Sequence, residues 1–334
     1  MSDIRNTAPR GEDYQPTPSV TGVDVEAGMG AGVLPAGPQP GEDASYSQGQ
    51  LVWRRFVRHR AAMISIAILG VVIVLAFSSI GMGPIPGWWD KSYLATFDKI
   101  GTGSPTWTHP FGQDAIGKDF FAMTMRGTQR SIVIALVIGV VSTVIGTAIG
   151  AIAGYYRGWL DSILMRLTDV FIVIPLLVLA AVLGRTASEW GIWGLSLMLG
   201  LVTWTGLARL VRGEVLSLRE REFVMAAQAV GTSPWRIIVK HILPNSVGVI
   251  IVNATLTIST AILLETSLSF LGYGVRPPDT SLGLLISLNQ NAFSTRPWLF
   301  WWPGLLILTI ALCVNFIGDG LRDAFDPRQT RNKD

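Results

Sequence analysis

The stretch WRRFVRHRAAMISIAILGVVIVLAFSSI, residues 53–80, decides the fold class. Arg54, Arg55, Arg58 and Arg60 crowd its start, and residues 61–80 carry no charge at all. A helix rises about 1.5 Å per residue, so roughly 20 apolar residues match a bilayer core of about 30 Å. The whole chain agrees with that reading. Of its 334 residues, 49% are hydrophobic and only 15% charged, with 12 Trp and a mean hydropathy of +0.44. Soluble domains carry about 25% charged residues. The composition therefore points to an all-α integral membrane protein.

Working outward, further candidate spans lie near residues 132–154, 164–184, 190–208, 246–270 and 299–318, about six transmembrane helices in all. Two are interrupted: the third holds Asp169 and Pro175, and the fifth holds Asn253, Glu265 and several Thr. Orientation follows from Lys and Arg near the span ends. With residues 1–60 inside, roughly 18 of the 26 basic residues fall on that side. Both termini are then cytoplasmic. Dropping one span would turn the last tail outward and blur the asymmetry. The expected organisation is a disordered cytoplasmic tail over 1–50, too rich in Gly, Pro and acids to offset its ordering entropy. A transmembrane domain follows over 51–328, with an external loop at 81–131 and a cytoplasmic loop at 209–245. Residues 329–334 form a short cytoplasmic tail.

Several function classes drop out. The lone Cys313 permits no intrachain disulfide, and His59, His109 and His241 are far apart, so no metal site is expected. The net charge of +3 gives no reason to expect a nucleic-acid partner. The stretch FGQDAIGKDF, residues 111–120, spaces Gly112, Gly117 and Lys118 like a phosphate loop. A true phosphate loop follows a strand and places Ser or Thr after the Lys. Here Asp119 follows, in a loop assigned to the outside. The segment reads instead as a turn leading into a short helix capped by Asp114 or Asp119, with Phe120, Phe121 and Met125 resting at the membrane surface.

The cytoplasmic loop is more informative. In REREFVMAAQAVGTSPWRIIVKHILPN, residues 219–245, Phe223, Ala226, Ala227 and Val230 share a helical face. Gly231 permits a turn, and Pro234 suits a helix start. Trp235, Ile238, Val239 and Ile242 form a second stripe, which Pro244 closes. The spacing predicts two short amphipathic helices joined by a bend.

Glu222, Ala226, Ala227, Gly231, Ile242, Leu243 and Pro244 resemble the EAA loop of ATP-binding-cassette importer permeases. HPFGQDAIGKD (109–119), ETSLSFLGYGVRPPDTSLG (265–283) and GDGLRDAFDPR (318–328) are similar to segments of the dipeptide/oligopeptide/nickel permease family, pointing to its second, C-type subunit. The likeness covers about residues 50–328. Its departures are Lys118 for the usual Arg, Asp279 for a small residue or Pro, and Leu282 for Trp.

The resemblance implies a type I importer permease fold in a bacterial plasma (inner) membrane. It implies no catalysis and no cofactor on this chain, with ATP and Mg held by two partner ATPase subunits. A second homologous permease would complete a heterodimer, and an extracellular or periplasmic binding protein would deliver substrate. Dipeptides or oligopeptides are the first expectation, nickel or glutathione the alternative. Glu222, Phe223, Ala226, Ala227, Gly231, Pro234, Ile242, Leu243 and Pro244 would couple the chain to an ATPase.

Glu265, Asn253 and Ser269 are expected along the translocation pathway or at a subunit interface. A carboxylate within a span costs about 2.5–3.5 kcal/mol on insertion scales and so faces protein or water. A buried pairing of Glu265 with a neighbour, or a position near the external surface, is the other reading, and Asp169, beside Arg166, is expected to be structural. Gly146, Gly150 and Gly154 form a helix-packing stripe, and Trp298, Trp301 and Trp302 an aromatic belt. Two rivals are less well supported. An ion-driven transporter would want several intramembrane ionisable groups and often inverted repeats, and a membrane enzyme would want facing catalytic side chains.

Overall fold

A computed structural model describes residues 48–325. Nearly all of the expected 1–50 tail, the 329–334 tail and the end of the GDGLRDAFDPR motif lie outside the described residues. Helix α1 (Gln48–Arg58) is followed by α2 (Arg60–Ser79), whose first turn is capped by His59, with Ala62 N donating to its Nδ1 at 3.2 Å. A small antiparallel pair, β1 (Gly81–Met82) and β2 (Ile85–Pro86), opens the long connection to α3 (Phe120–Tyr156). There follow α4 (Gly158–Val173), α5 (Leu176–Ala187), α6 (Gly191–Thr203), α7 (Thr205–Arg219), α8 (Glu222–Ala229), α9 (Pro234–Ile237), α10 (Leu243–Phe270), α11 (Leu282–Asn289) and α12 (Trp298–Phe325).

Among the described residues, four helices are long and apolar enough to cross a membrane: α2, α3, the continuous rod Pro234–Phe270 and α12. A fifth is counted if the chain from Gly158 to Thr203, bent by 88° after Val173, is one broken span. Against the expected six or so spans, four long helices and one broken pair are counted, and the difference lies in the third and fourth candidates. Pro175 has no amide hydrogen and disfavours helix in the residue before it, so α4 stops and α5 restarts in a new direction. The chain then folds back at Gly191, whose φ is +70°. A Cβ on Gly184 would lie 3.7 Å from Leu195 Cδ1, so α5 and α6 run side by side.

The direction of α6 and α7 supplies the missing passage. Gly200 packs on Val141, Gly146 on Trp204 and Leu207, Gly150 on Val211, and Gly154 on Val215. Numbers rise together, so α6 and α7 run parallel to α3. The start of α6 lies level with about residue 132, roughly 36 Å back along α3 at ~1.5 Å per residue. Residues 157–190 thus retrace about one bilayer core in two short helices.

The glycine stripe acts as expected. At Gly150 a Cβ would sit 2.9 Å from Val211 Cβ and 3.0 Å from Arg212 N, leaving no room for any side chain. Helix α3 is much longer than its apolar run, because residues 120–131 are covered by the 80–119 connection and the α11 region. Phe120, Phe121 and Met125 are consequently buried, not spread on a membrane surface. The aromatic belt is split too. Trp301 is exposed, whereas Trp302 stacks on Phe111 at 4.0 Å.

The polar rod α10 tolerates an apolar environment because its side chains bond to its own carbonyls. Thr257, Thr260, Thr266 and Ser267 donate to Asn253, Leu256, Ile262 and Leu263.

Candidate functional site

The loop between α7 and α10 is built from ordinary turn chemistry. Glu222 stands in the first turn of α8, where a negative charge suits the helix dipole. Helix α8 ends at Gly231, φ +78°. Gly231 N donates to Gln228 O at 2.9 Å and Thr232 N to Ala227 O at 3.0 Å, the paired bonds of a left-handed helix stop. Pro234 then starts α9 as its first residue.

Pro244 does not close this second helix. Residues Ile238–Ile242 widen into a π turn, and the helix runs on through Pro244 as α10. The wide turn accommodates the missing amide hydrogen. Asn245 Nδ2 donates to His241 O at 2.6 Å and Ser246 Oγ to Ile242 O at 3.1 Å. The loop is therefore one short helix and the first turns of a long rod, not two short helices.

The predicted stripes are also rotated. Val224 and Ala227 point inward with Ile237, Ile238 and Ile242, against Ala151 and Tyr155 of α3 and Leu207, Val211 and Val215 of α7. Phe223, Ala226, Val230, Trp235 and Val239 point outward. Phe223 is 42%, Trp235 65% and Val230 81% exposed. Nearly every residue of EFVMAAQA is apolar, so spacing alone could not choose the buried face. Of the nine residues expected here, Glu222, Phe223, Ala226, Gly231 and Pro234 lie on the open surface, while Ala227 and Ile242 fasten it from beneath. Leu243 is half-buried and Pro244 exposed on the rod. A shallow recess lined by Leu218, Glu220, Arg221, Glu222 and Phe223 adjoins this face.

The loop is bolted to its surroundings. Arg219 Nη1 donates to Tyr155 O at 2.5 Å, with its guanidinium 5.4 Å above the Tyr155 ring. Arg212 grips Asp161 of α4 through Nε and Nη2, both at 2.6 Å. Asp169 pairs with Arg209 instead of Arg166, an exposed contact that links α4 again to α7. Arg157 pairs with Glu220 at 2.5 Å.

Glu265, Ser269 and Asn253 do not form one site. Glu265 and Ser269 are fully buried. Ser269 Oγ donates to Glu265 Oε1 at 2.7 Å, and Ser131 Oγ of α3 donates to Oε2 at 3.2 Å. Ser131 Oγ accepts from Leu282 N at 3.2 Å, and Ser281 lies 3.3 Å from Ser269. Of the two readings for Glu265, this geometry fits the internal one, a polar knot joining α3, α10 and α11. Asn253 lies three turns away and donates to Val249 O of its own helix.

In the 80–119 connection, the phosphate-loop likeness dissolves. Asp119 is fully buried and caps α3, accepting from Ala122 N at 2.7 Å and Trp89 Nε1 at 3.1 Å, with His109 Nδ1 at 2.6 Å. Asp114 Oδ1 holds the turn through the amides of Ile116 and Lys118. One feature escaped the sequence reading: Asp279 pairs with Arg126 and Arg130 of α3. Only its departure from a family pattern had marked it.

Two family descriptions match the chain: "Binding-protein-dependent transport system inner membrane component" over residues 146–331 and "N-terminal TM domain of oligopeptide transport permease C" over residues 47–86. An oligopeptide transport system permease protein OppC from Mycobacterium tuberculosis is 42% identical over 282 residues, 84% of this chain and 95% of the relative. A putative peptide permease of Brucella ovis is 38% identical, covering 83% of this chain and 90% of its own length. OppC of Haemophilus influenzae is 37% identical over 84% of this chain and 90% of its own.

Proposed function

The chain belongs to the family of binding-protein-dependent transport system inner membrane components, and on that premise we propose that it is the conduit-forming subunit of a peptide importer driven by separate ATPases. Membership makes it a multi-pass permease subunit of an ATP-binding-cassette system. The finer reading has both termini in the cytoplasm and six passages, two of them made of the short pairs α4–α5 and α6–α7. The cytoplasmic surface is then the α8–α9 loop, and a bacterial inner membrane is the setting. Peptides are favoured over nickel or glutathione because the relatives are named oligopeptide and peptide permeases.

One observation carries the mechanism. The α8–α9 loop has two apolar faces, and only one is covered. The inner face is packed on α3 and α7; the outer face, with Phe223, Val230 and Trp235, stays exposed among the described residues. Uncovered apolar groups of this size on a short rigid helix mark a protein contact. Ala226 at its centre lets a partner backbone come close, and Glu222 offers a charge at the rim. A push on the outer face passes through Val224 and Ala227 directly to α3 and α7, with α4 following through Asp161–Arg212. ATP and Mg are held by the partners, a second permease completes the conduit, and an external binding protein delivers the peptide.

Cross-linking tests this. With Cys placed at Phe223 in the chain co-expressed with its partners, a zero-length or short cross-linker joins it to an ATPase subunit. Cross-links solely to lipid, or to no partner while a distant control position on α12 reacts alike, overturn the coupling assignment.

A further inference from the structure

Arg126 and Arg130 stand one turn apart on α3, just before its apolar run, and both reach Asp279 in the segment between α10 and α11. Arg126 Nε meets Asp279 Oδ1 at 3.2 Å and Arg130 Nε meets Oδ2 at 2.7 Å. One carboxylate answers two guanidiniums, so the cluster keeps one positive charge in excess. Each guanidinium carries five N–H donors in a planar fork that matches a carboxylate. Asp279 accepts a hydrogen bond from Arg126 Nε, whereas Arg130 Nε lies close enough for an ion pair but off the hydrogen-bonding direction and is buried without a hydrogen-bond partner; Gln129 Oε1 accepts from Arg126 Nη1 at 3.3 Å. Among the described residues, no acceptor meets Arg126 Nη2 or either terminal nitrogen of Arg130. The next residue, Thr280, is buried with its hydroxyl unpartnered.

The cluster is recessed without being sealed. The side chains of Arg126, Arg130 and Asp279 are 18%, 26% and 25% exposed. The Tyr93 ring, 5.1 Å from the Arg126 guanidinium, walls one side. A flat protein surface does not reach recessed guanidiniums, whereas the end of a small chain does. The segment carrying Asp279 is held independently by Ser281 and Leu282 through the Glu265 knot. Asp279 can leave the arginines without that anchor being lost.

We propose that Arg126 and Arg130 form a receiving site for the free carboxylate of an arriving peptide, occupied between arrivals by Asp279 as an internal stand-in. Charge-assisted fork contacts between Arg and carboxylate are among the stronger hydrogen bonds, so a second carboxylate competes on equal chemical terms. This deepens the peptide-import reading and rests on it.

The test uses the full complex with its partners in membrane vesicles and a dipeptide at limiting concentration. Arg130→Gln lowers the uptake rate about tenfold, since it removes a charged hydrogen-bonding partner. Asp279→Asn raises the rate, because the competitor is weakened while the arginines stay. Co-purification of the partner subunits checks that both variants assemble. A purely structural clasp makes both substitutions lower uptake; that outcome, or no change in either variant, overturns the carboxylate site alone. Failure of the unsubstituted complex to take up any peptide overturns the import reading and this site with it.

Discussion

The two ends of the molecule solve opposite problems. At the α11 end, two carboxylates are closed in by their own chain: Glu265 is met by Ser131 and Ser269, and Asp119 by Ala122 N, Trp89 and His109. Both carboxylates are fully buried. At the α8–α9 end, backbone turns are satisfied but a run of apolar side chains is left in the open. A buried polar group without partners costs free energy in the chain itself. An exposed apolar face costs little until a partner covers it. The two buried carboxylates are satisfied within the chain, though the neighbouring Arg126–Arg130–Asp279 cluster is not; on the reading proposed above, the open apolar face is covered in a complex.

The contrast breaks most visibly at Glu265. Glu265→Ala leaves the hydroxyls of Ser131 and Ser269 short of an acceptor in a fully buried site, a loss of about 2–4 kcal/mol. A thermal shift of the purified protein in detergent falls by several degrees, and Glu265→Gln recovers part of it. An unchanged melting temperature in Glu265→Ala would mean that this end is not self-supporting. Asp119→Ala removes a helix cap and the partner of His109, costing about 1–2 kcal/mol in the same assay. Asp119→Asn keeps an acceptor for Ala122 N and costs less.

Phe223→Ala probes the other end and inverts the pattern. Phe223 is 42% exposed, so the melting temperature stays within the range of ordinary surface changes. ATPase co-purification falls about tenfold, as for loss of an aromatic contact residue. Gly231→Leu acts likewise through the backbone, since φ +78° costs a branched residue about 1–2 kcal/mol. Insertion in the membrane is retained in both. A stability loss in Phe223→Ala without loss of ATPase would reverse the assignment of the two ends.

Features read well from the sequence were local. The span 61–80 became α2, and the turn at Gly231 formed where Gly and Pro mark it, because each depends on a few adjacent residues. What was missed depended on distance or on choice between equal faces. Ser131 and Glu265 are 134 positions apart, and Arg126 and Asp279 are 153 apart. No periodicity joins them. Pro175 announced a break, but not that α5 would fold against α6. The outward turn of Phe223 was hidden because EFVMAAQA offers apolar side chains all round, and only packing on α3 and α7 selects Val224 and Ala227.

The smallest effect sharpens the comparison at its boundary, where the open loop becomes the rod. The π turn at Ile238–Ile242 lets the helix pass Pro244, and Asn245 Nδ2 donates to the His241 carbonyl one turn back. This contact is exposed, so Asn245→Ala costs about 0.5–1 kcal/mol, water replacing the amide. Stability barely moves. If the loop couples to an ATPase as proposed above, this turn is where its push passes to α10, and loosening it weakens transmission while leaving the Phe223 face intact. ATPase binding is therefore unchanged in Asn245→Ala, whereas peptide uptake per ATP hydrolysed falls by about twofold, on the order of 0.4 kcal/mol. Equal losses in binding and uptake would place Asn245 in the docking surface, and the open end would extend one turn further along the rod.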